Sequence, residues 1–164
     1  VPPTIKVNSV TFAAMSKQEK YQNLLTQIRS LTTGEADKIA NLGNICAAIQ
    51  HNFQFWWVGF YFVNNNELVL GPFQGPVACT RIGFGKGVCG KAWELQRTIN
   101  VPDVHQFDGH IACSSASNSE IVVPILKNNE VIMILDIDST EFSKFDEIDE
   151  NYLHQICEYI ATII

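Results

Sequence analysis

A chain of 164 residues, 46% hydrophobic and 17% charged, is long enough to bury one core and too apolar to stay disordered. Its net charge of −6 and the lack of any Lys/Arg run argue against nucleic acid or an anionic membrane surface as a partner. No apolar stretch approaches the roughly 20 residues of a transmembrane helix. The opening VPPTIKVNSVTFAAMSK has no apolar segment followed by a small-residue cleavage site, so no secretory leader is expected.

Taken in chain order, residues 1–14 read as an N-terminal extension to a single domain spanning 1–164. From Ser16 to Arg29, Leu24, Leu25, Ile28 and Leu31 recur at helical spacing, and Gly34 ends the run. A second helix is expected from Gly34 or Glu35 to about Gln50, with Ile39, Leu42, Ile45 and Ile49 as its apolar stripe. FWWVGFYFV (55–63) is aromatic and β-branched, Asn64, Asn65 and Asn66 make a turn, and ELVLGPF follows, which predicts a hairpin. GKGVCGKAWELQ (85–96) holds too much glycine for a strand, and its second half predicts a short helix before a brief strand at TINV (98–101). The polar stretch 103–119 is longer than the roughly 12–15 residues that a loop without a functional reason usually reaches. SEIVVPILK and EVIMILDID, joined by Asn128-Asn129, predict a second hairpin. A last helix is expected from Phe145, with Ile148, Tyr152, Ile156, Tyr159 and Ile163 on its buried face. Helices bracketing a mainly antiparallel sheet make this an α+β chain.

Five cysteines are present, an odd number, so a secreted disulfide framework is not expected and a reducing, cytoplasmic setting is. No Cys-x-x-Cys or Cys/His cluster occurs, so no structural zinc site is expected. Cys46 and Cys157 fall on or beside the buried stripes of predicted helices, where a thiol behaves as a small core hydrophobe. Cys79, Cys89 and Cys113 instead fall in glycine-rich segments or the long loop. Exposure there would suit a reactive thiol, although burial is the commoner fate of a free cysteine.

Asp136 and Asp138 stand two apart on a predicted strand and therefore share a face within an apolar run; Glu120 begins the preceding strand. They either meet solvent at the strand's end, or face a pocket where carboxylates could hold an ammonium group or supply a proton. By the same alternation Trp57, Gly59 and Tyr61 share a face, as core or as an apolar wall for a small zwitterion. His105 and His110 lie in the loop with Cys113, where bracing the loop is a simpler reading than a catalytic Cys/His pair. GFGKGVCG lacks the Lys-Ser/Thr ending of a phosphate loop, so nucleotide binding is discounted.

LGPFQGPVACTRIGFGKGVCG (70–90), VPDVHQFDGHIACSSASNSEIVVPI (101–125), LDIDS (135–139) and WVGFY (57–61) together resemble the motifs of the free methionine-(R)-sulfoxide reductase family. The resemblance spans nearly the whole chain; Ser114 and Trp56 are local departures. It implies a GAF domain, with the terminal helices on one face of an antiparallel sheet and the ligand pocket on the other. It implies reduction of the free amino acid with electrons from thioredoxin and no metal or organic cofactor, by a protein that forms homodimers. Matched motif by motif, Cys113 becomes the catalytic thiol, Cys79 its main resolving partner and Cys89 an auxiliary one. Trp57 and Tyr61 would line the methyl-sulfur end, while Glu120, Asp136 and Asp138 would bind the amino acid and assist the chemistry. The competing class is a non-catalytic GAF sensor of a small molecule or of redox state; a thiol count before and after adding methionine sulfoxide separates the two, since a sensor of the first kind oxidises nothing. A peroxide sensor using the same three cysteines would oxidise without stereoselective sulfoxide turnover.

Overall fold

The computed structural model describes residues 15–111, 113 and 115–164; the N-terminal extension and Ser114 lie outside them. Helix α1 (Lys17–Thr32) opens on a reciprocal cap, in which the Ser16 hydroxyl accepts from the Glu19 N–H and the Glu19 carboxylate from the Ser16 N–H. Helix α2 (Lys38–Phe53) starts later than its acidic run predicts, because Asp37 is the cap and accepts from the Ala40 N–H at 2.9 Å. Strands β1 (Trp57–Asn64) and β2 (Glu67–Gln74) form the expected hairpin. A short strand β3 (Arg81–Gly83), which the sequence did not announce, borders β2. Helix α3 (Gly87–Leu95) takes in more of the glycine-rich run than expected, so Cys89 sits in its first turn rather than in a loop. Strand β4 (Ile99–Val101) and a turn of 3-10 helix at Val104–Gln106 lead to the second hairpin, β5 (Ser119–Lys127) and β6 (Glu130–Ser139), and to helix α4 (Glu147–Ile163).

The six strands run in the order β3-β2-β1-β6-β5-β4, every neighbouring pair antiparallel. Helices α1, α2 and α4 cover one face through Leu24, Ile28, Leu42, Ile45, Ile49, Leu153 and Ile156, packed on Val58, Phe60, Ile121, Val123, Leu135 and Ile137. The other face packs α3 and the long connections on Trp57, Tyr61, Val122 and Ile134. This is the expected α+β architecture, with the layer of terminal helices on one side only.

Periodicity misplaced parts of the helix faces. Leu31 and Ile39 are exposed, whereas Tyr21 is fully buried. On α4 the buried stripe is Asp149, Leu153, Ile156, Cys157 and Ile160, with Ile148 exposed. That is a turn of about one position, or roughly 100°, from the expected face. The physical reason is Asp149. Its carboxylate accepts from the Tyr21 hydroxyl at 2.7 Å and from Lys17 at 2.6 Å, so a charged residue is drawn inward by partners far away in sequence. No described helix is long and apolar enough to cross a membrane.

Candidate functional site

Strand alternation builds the site. In the antiparallel register Trp57 lies opposite Asp138 and Gly59 opposite Asp136, while across β5 Glu120 also lies opposite Asp138. Directly paired residues point to the same side of a sheet. The three carboxylates and the two aromatic rings therefore converge on the face away from the helix layer, and their neighbours Val58, Phe60, Ile121 and Ile137 enter the core.

Two glycines make room for the indole of Trp57. A Cβ on Gly59 would stand 2.2 Å from the Trp57 ring, so only glycine lets the indole lie across β1. Gly75, at φ +135°, turns the chain after β2 where a Cβ would stand 2.6 Å from the same ring. The turn lays residues 76–80 over the sheet, and the aromatic pair anchors them. The Trp57 ring N–H donates to the Pro76 carbonyl at 3.0 Å, and the Tyr61 hydroxyl donates to the Cys79 carbonyl at 2.9 Å. Cys79 is thereby held over the pocket, where it forms a disulfide with Cys113 of the long loop, the Cα atoms 5.4 Å apart.

Beneath the disulfide lies a cleft lined by both faces of the site's chemistry, carboxyl and aromatic. Its floor is Glu120, Asp136, Asp138 and Cys89; its walls include Trp57, Tyr61, Ile82 and Val88; its mouth is edged by Trp56, Val77 and Ile111. All eight residues singled out in the sequence are brought together. Their states differ from those that sequence suggested. Cys89 is free but buried, and its thiol donates to Glu120 Oε1 at 3.7 Å. Burial, with the charges of Asp136 and Glu120, pushes that thiol well above its ordinary pKa. Cys46 and Cys157 are buried in the helix-side core, as their positions implied.

The carboxylates carry the strongest electrostatic signature. Burial, reinforced by the Asp138 charge, raises Glu120 well above the usual carboxylate range. Asp136 is raised by burial and by the charges of Asp138 and Glu120. Asp138 is pushed up to about 6 by burial, against the hydrogen bond from Ser117 and the nearby His110. One oxygen of this cluster, Asp136 Oδ1, is buried with no hydrogen-bond partner among the described residues. A buried acceptor left unpaired costs about 1–3 kcal/mol, so it marks where a ligand donor belongs.

Two contributors escaped sequence reasoning. Ser117 donates to Asp138 at 2.5 Å, and nothing in the run SSASNS distinguishes it from its neighbours. His110, expected only to brace the loop, lines the cleft with Nε2 3.7 Å from Glu120 Oε2. Burial lowers its pKa and raises that of Glu120, so both shifts disfavour the charged forms of this pair. His105 does brace the loop, through a 3.1 Å contact with the Asn118 side chain.

The GAF domain family matches residues 40–164. Free methionine-R-sulfoxide reductase of Escherichia coli is 44% identical over 151 residues, covering 92% of each chain. GAF domain-containing protein A of Dictyostelium discoideum is 58% identical over 146 residues, covering 88% of this chain and 92% of its own. The crystal structure of free methionine-R-sulfoxide reductase from Neisseria meningitidis, in complex with its substrate, is 46% identical and superposes with a TM-score of 0.89 over 95% of both chains.

Proposed function

The chain belongs to the GAF-domain free methionine-R-sulfoxide reductase family, and from that premise we propose that it reduces free methionine-(R)-sulfoxide to methionine with Cys113 as nucleophile. The observation that carries the proposal is a disulfide between Cys79 and Cys113 lying over a cleft whose floor is three buried carboxylates.

A sulfoxide sulfur becomes electrophilic when its oxygen accepts a proton or a strong hydrogen bond. The Cys113 thiolate attacks that sulfur while Asp138 serves the oxygen. A carboxyl with a pKa of about 6 is protonated far more often near neutrality than an ordinary aspartate, which suits it to the task. Collapse yields methionine and a sulfenic acid on Cys113. The Cys79 thiol condenses with the sulfenic acid, releasing water and leaving the disulfide, the oxidised form in which the two sulfurs stand here. A dithiol of the thioredoxin class returns two electrons and two protons. Val77, 87% exposed and two residues before Cys79, gives such a protein an apolar contact beside the bond it must reduce.

The substrate's ammonium pairs with Glu120 and Asp136, supplying the donor that Asp136 Oδ1 lacks. Trp57 seats the methyl end, with Tyr61 holding the segment that carries Cys79. Cys89, buried and bonded to Glu120, serves as the auxiliary thiol. The scheme uses no metal or organic cofactor. We carry over from the family resemblance the homodimer, the cytoplasmic setting and the extent of one domain over 1–164.

The test is steady-state turnover of the separate R and S epimers of free methionine sulfoxide with thioredoxin, its reductase and NADPH. The R epimer should be reduced, and the S epimer and N-acetyl-methionine-(R)-sulfoxide should be inert, since acetylation removes the cation and strands the carboxylates. Equal reduction of the acetylated substrate would overturn recognition by charge, and loss of NADPH oxidation with every epimer would overturn the activity.

A further inference from the structure

The floor of the cleft has a composition that an ammonium ion alone does not require. Cys89 Sγ and one oxygen each of Glu120 and Asp136 lie within 4.8 Å of one another, all three residues buried. His110 Nε2 adds an imidazole nitrogen 3.7 Å from the second Glu120 oxygen. One thiol and two carboxylates around a common centre form a donor set of the kind that borderline-soft divalent metals take, with the imidazole standing outside that trio beside the far Glu120 oxygen. The second observation is the orphan oxygen. Asp136 is 6% exposed, and its Oδ1 is buried in this floor without a partner among the described residues.

We infer that the cleft floor is also a reversible binding site for Zn²⁺, held by Cys89, Glu120 and Asp136 with a water as the fourth ligand. Tetrahedral zinc with bonds of about 2.0–2.3 Å places its ligand atoms about 3.3–3.8 Å apart. The trio must therefore close by about an ångström, and the Cys89–Glu120 pair is already at 3.7 Å. The thiol discriminates against Mg²⁺ and Ca²⁺, which take oxygen donors. On binding, the Cys89 thiol releases its proton to solvent and becomes a thiolate ligand. The metal neutralises a cluster that otherwise crowds three carboxyl groups into a buried site, and it satisfies Asp136 Oδ1. Cys79 and Cys113 take no part, so the site exists while their disulfide is closed. Zinc and a substrate ammonium claim the same oxygens and exclude each other, so the metal restrains the enzyme. Metal binding by these side chains stands apart from the reduction proposed above; only the competition rests on it.

The experiment uses the disulfide form of the whole chain. Zn²⁺ is titrated by calorimetry, and Co²⁺ is added as a spectroscopic probe. One Zn²⁺ per chain is expected, together with a thiolate-to-cobalt charge-transfer band in the near ultraviolet. Cys89→Ala should abolish the band, and Asp136→Asn should weaken zinc binding at least tenfold while the circular dichroism stays unchanged. The second variant carries the test if the first does not fold. A cobalt spectrum without the thiolate band would overturn the site, as would an Asp136→Asn protein that binds zinc as tightly as the parent. L-methionine should raise the apparent zinc Kd. If zinc binds through Cys89 and methionine leaves its Kd unchanged, the metal site stands and the placement of the amino acid fails.

Discussion

The two faces of the sheet are made by the same strands and differ by one residue of alternation. Along β6, Leu135 and Ile137 enter a core sealed by three helices, while Asp136 and Asp138 enter the cleft. Cysteines divide in the same way. Cys46 and Cys157 are buried among aliphatic side chains, whereas Cys89, buried as deeply, meets a carboxyl. Burial therefore does not separate core from site here. The cleft face differs in keeping one buried polar atom without a partner among the described residues. On the helix side Asp149 has the Tyr21 hydroxyl and Lys17; on the cleft side Asp136 Oδ1 has none among the described residues.

Exchanging the chemistry of one face for that of the other is the most direct way to break this comparison. The largest effect is expected from Asp138→Asn, which keeps the shape and removes the proposed acid. We expect kcat to fall by about 10²–10⁴ with no loss of stability, whereas Asp136→Asn and Glu120→Gln should chiefly raise KM. Steady-state kinetics on all three variants would expose a wrong division of labour if Asp138→Asn altered KM alone. One residue away on the other face, Ile137→Asn puts an amide among apolar side chains at a fully buried position. It should cost about 3–5 kcal/mol in chemical denaturation. A loss below about 1 kcal/mol would mean that the helix-side core tolerates polarity as the cleft does.

The cleft should also set how stability depends on pH. A carboxyl whose folded pKa is raised binds more protons in the folded chain than in the unfolded one, so stability falls as pH rises through that range. For Asp138 the window runs from its ordinary value of 3.8 up to about 6, and Glu120 and Asp136, both raised well above their ordinary values, extend the decline upward. Asp146, lowered by its Lys17 bond, works in the opposite sense but only below about pH 4. The Tm of the ligand-free protein should drop between about pH 4 and pH 6, and Asp138→Asn should flatten that drop. A Tm that rises over this interval would contradict the upward shift of the floor carboxyls. The smallest effect expected is that of Tyr61→Phe, which removes only the bond to the Cys79 carbonyl. About 1 kcal/mol is at stake. It should show as slower disulfide closure after sulfoxide reduction rather than as slower methionine release.

Much of this geometry was legible in the sequence because a period of two is a strong signal. LDID and WVGFY each announce which residues share a face, and the register of β1 with β6 brings those faces into one site. The turn of α4 was not legible, since it follows from Asp149 reaching partners more than a hundred residues earlier. Ser117 was hidden for a related reason: its value lies in one 2.5 Å hydrogen bond that only the folded chain creates. Cys89 looked like a loop thiol because its glycine neighbours suggested mobility. The helix that begins at Gly87 instead carries it into the floor of the cleft.

The central claim is that Cys113 attacks the sulfoxide and Cys79 resolves the product. It is tested most directly by a single turnover of reduced Cys79→Ser protein with free methionine-(R)-sulfoxide, quenched with a sulfenic-acid trap. One methionine per chain should be released, and peptide mapping should find the trap on Cys113 or a mixed disulfide from Cys113 to Cys89. Release of methionine with the trap on Cys89 alone, or equal release from a Cys113→Ser protein, would contradict the account.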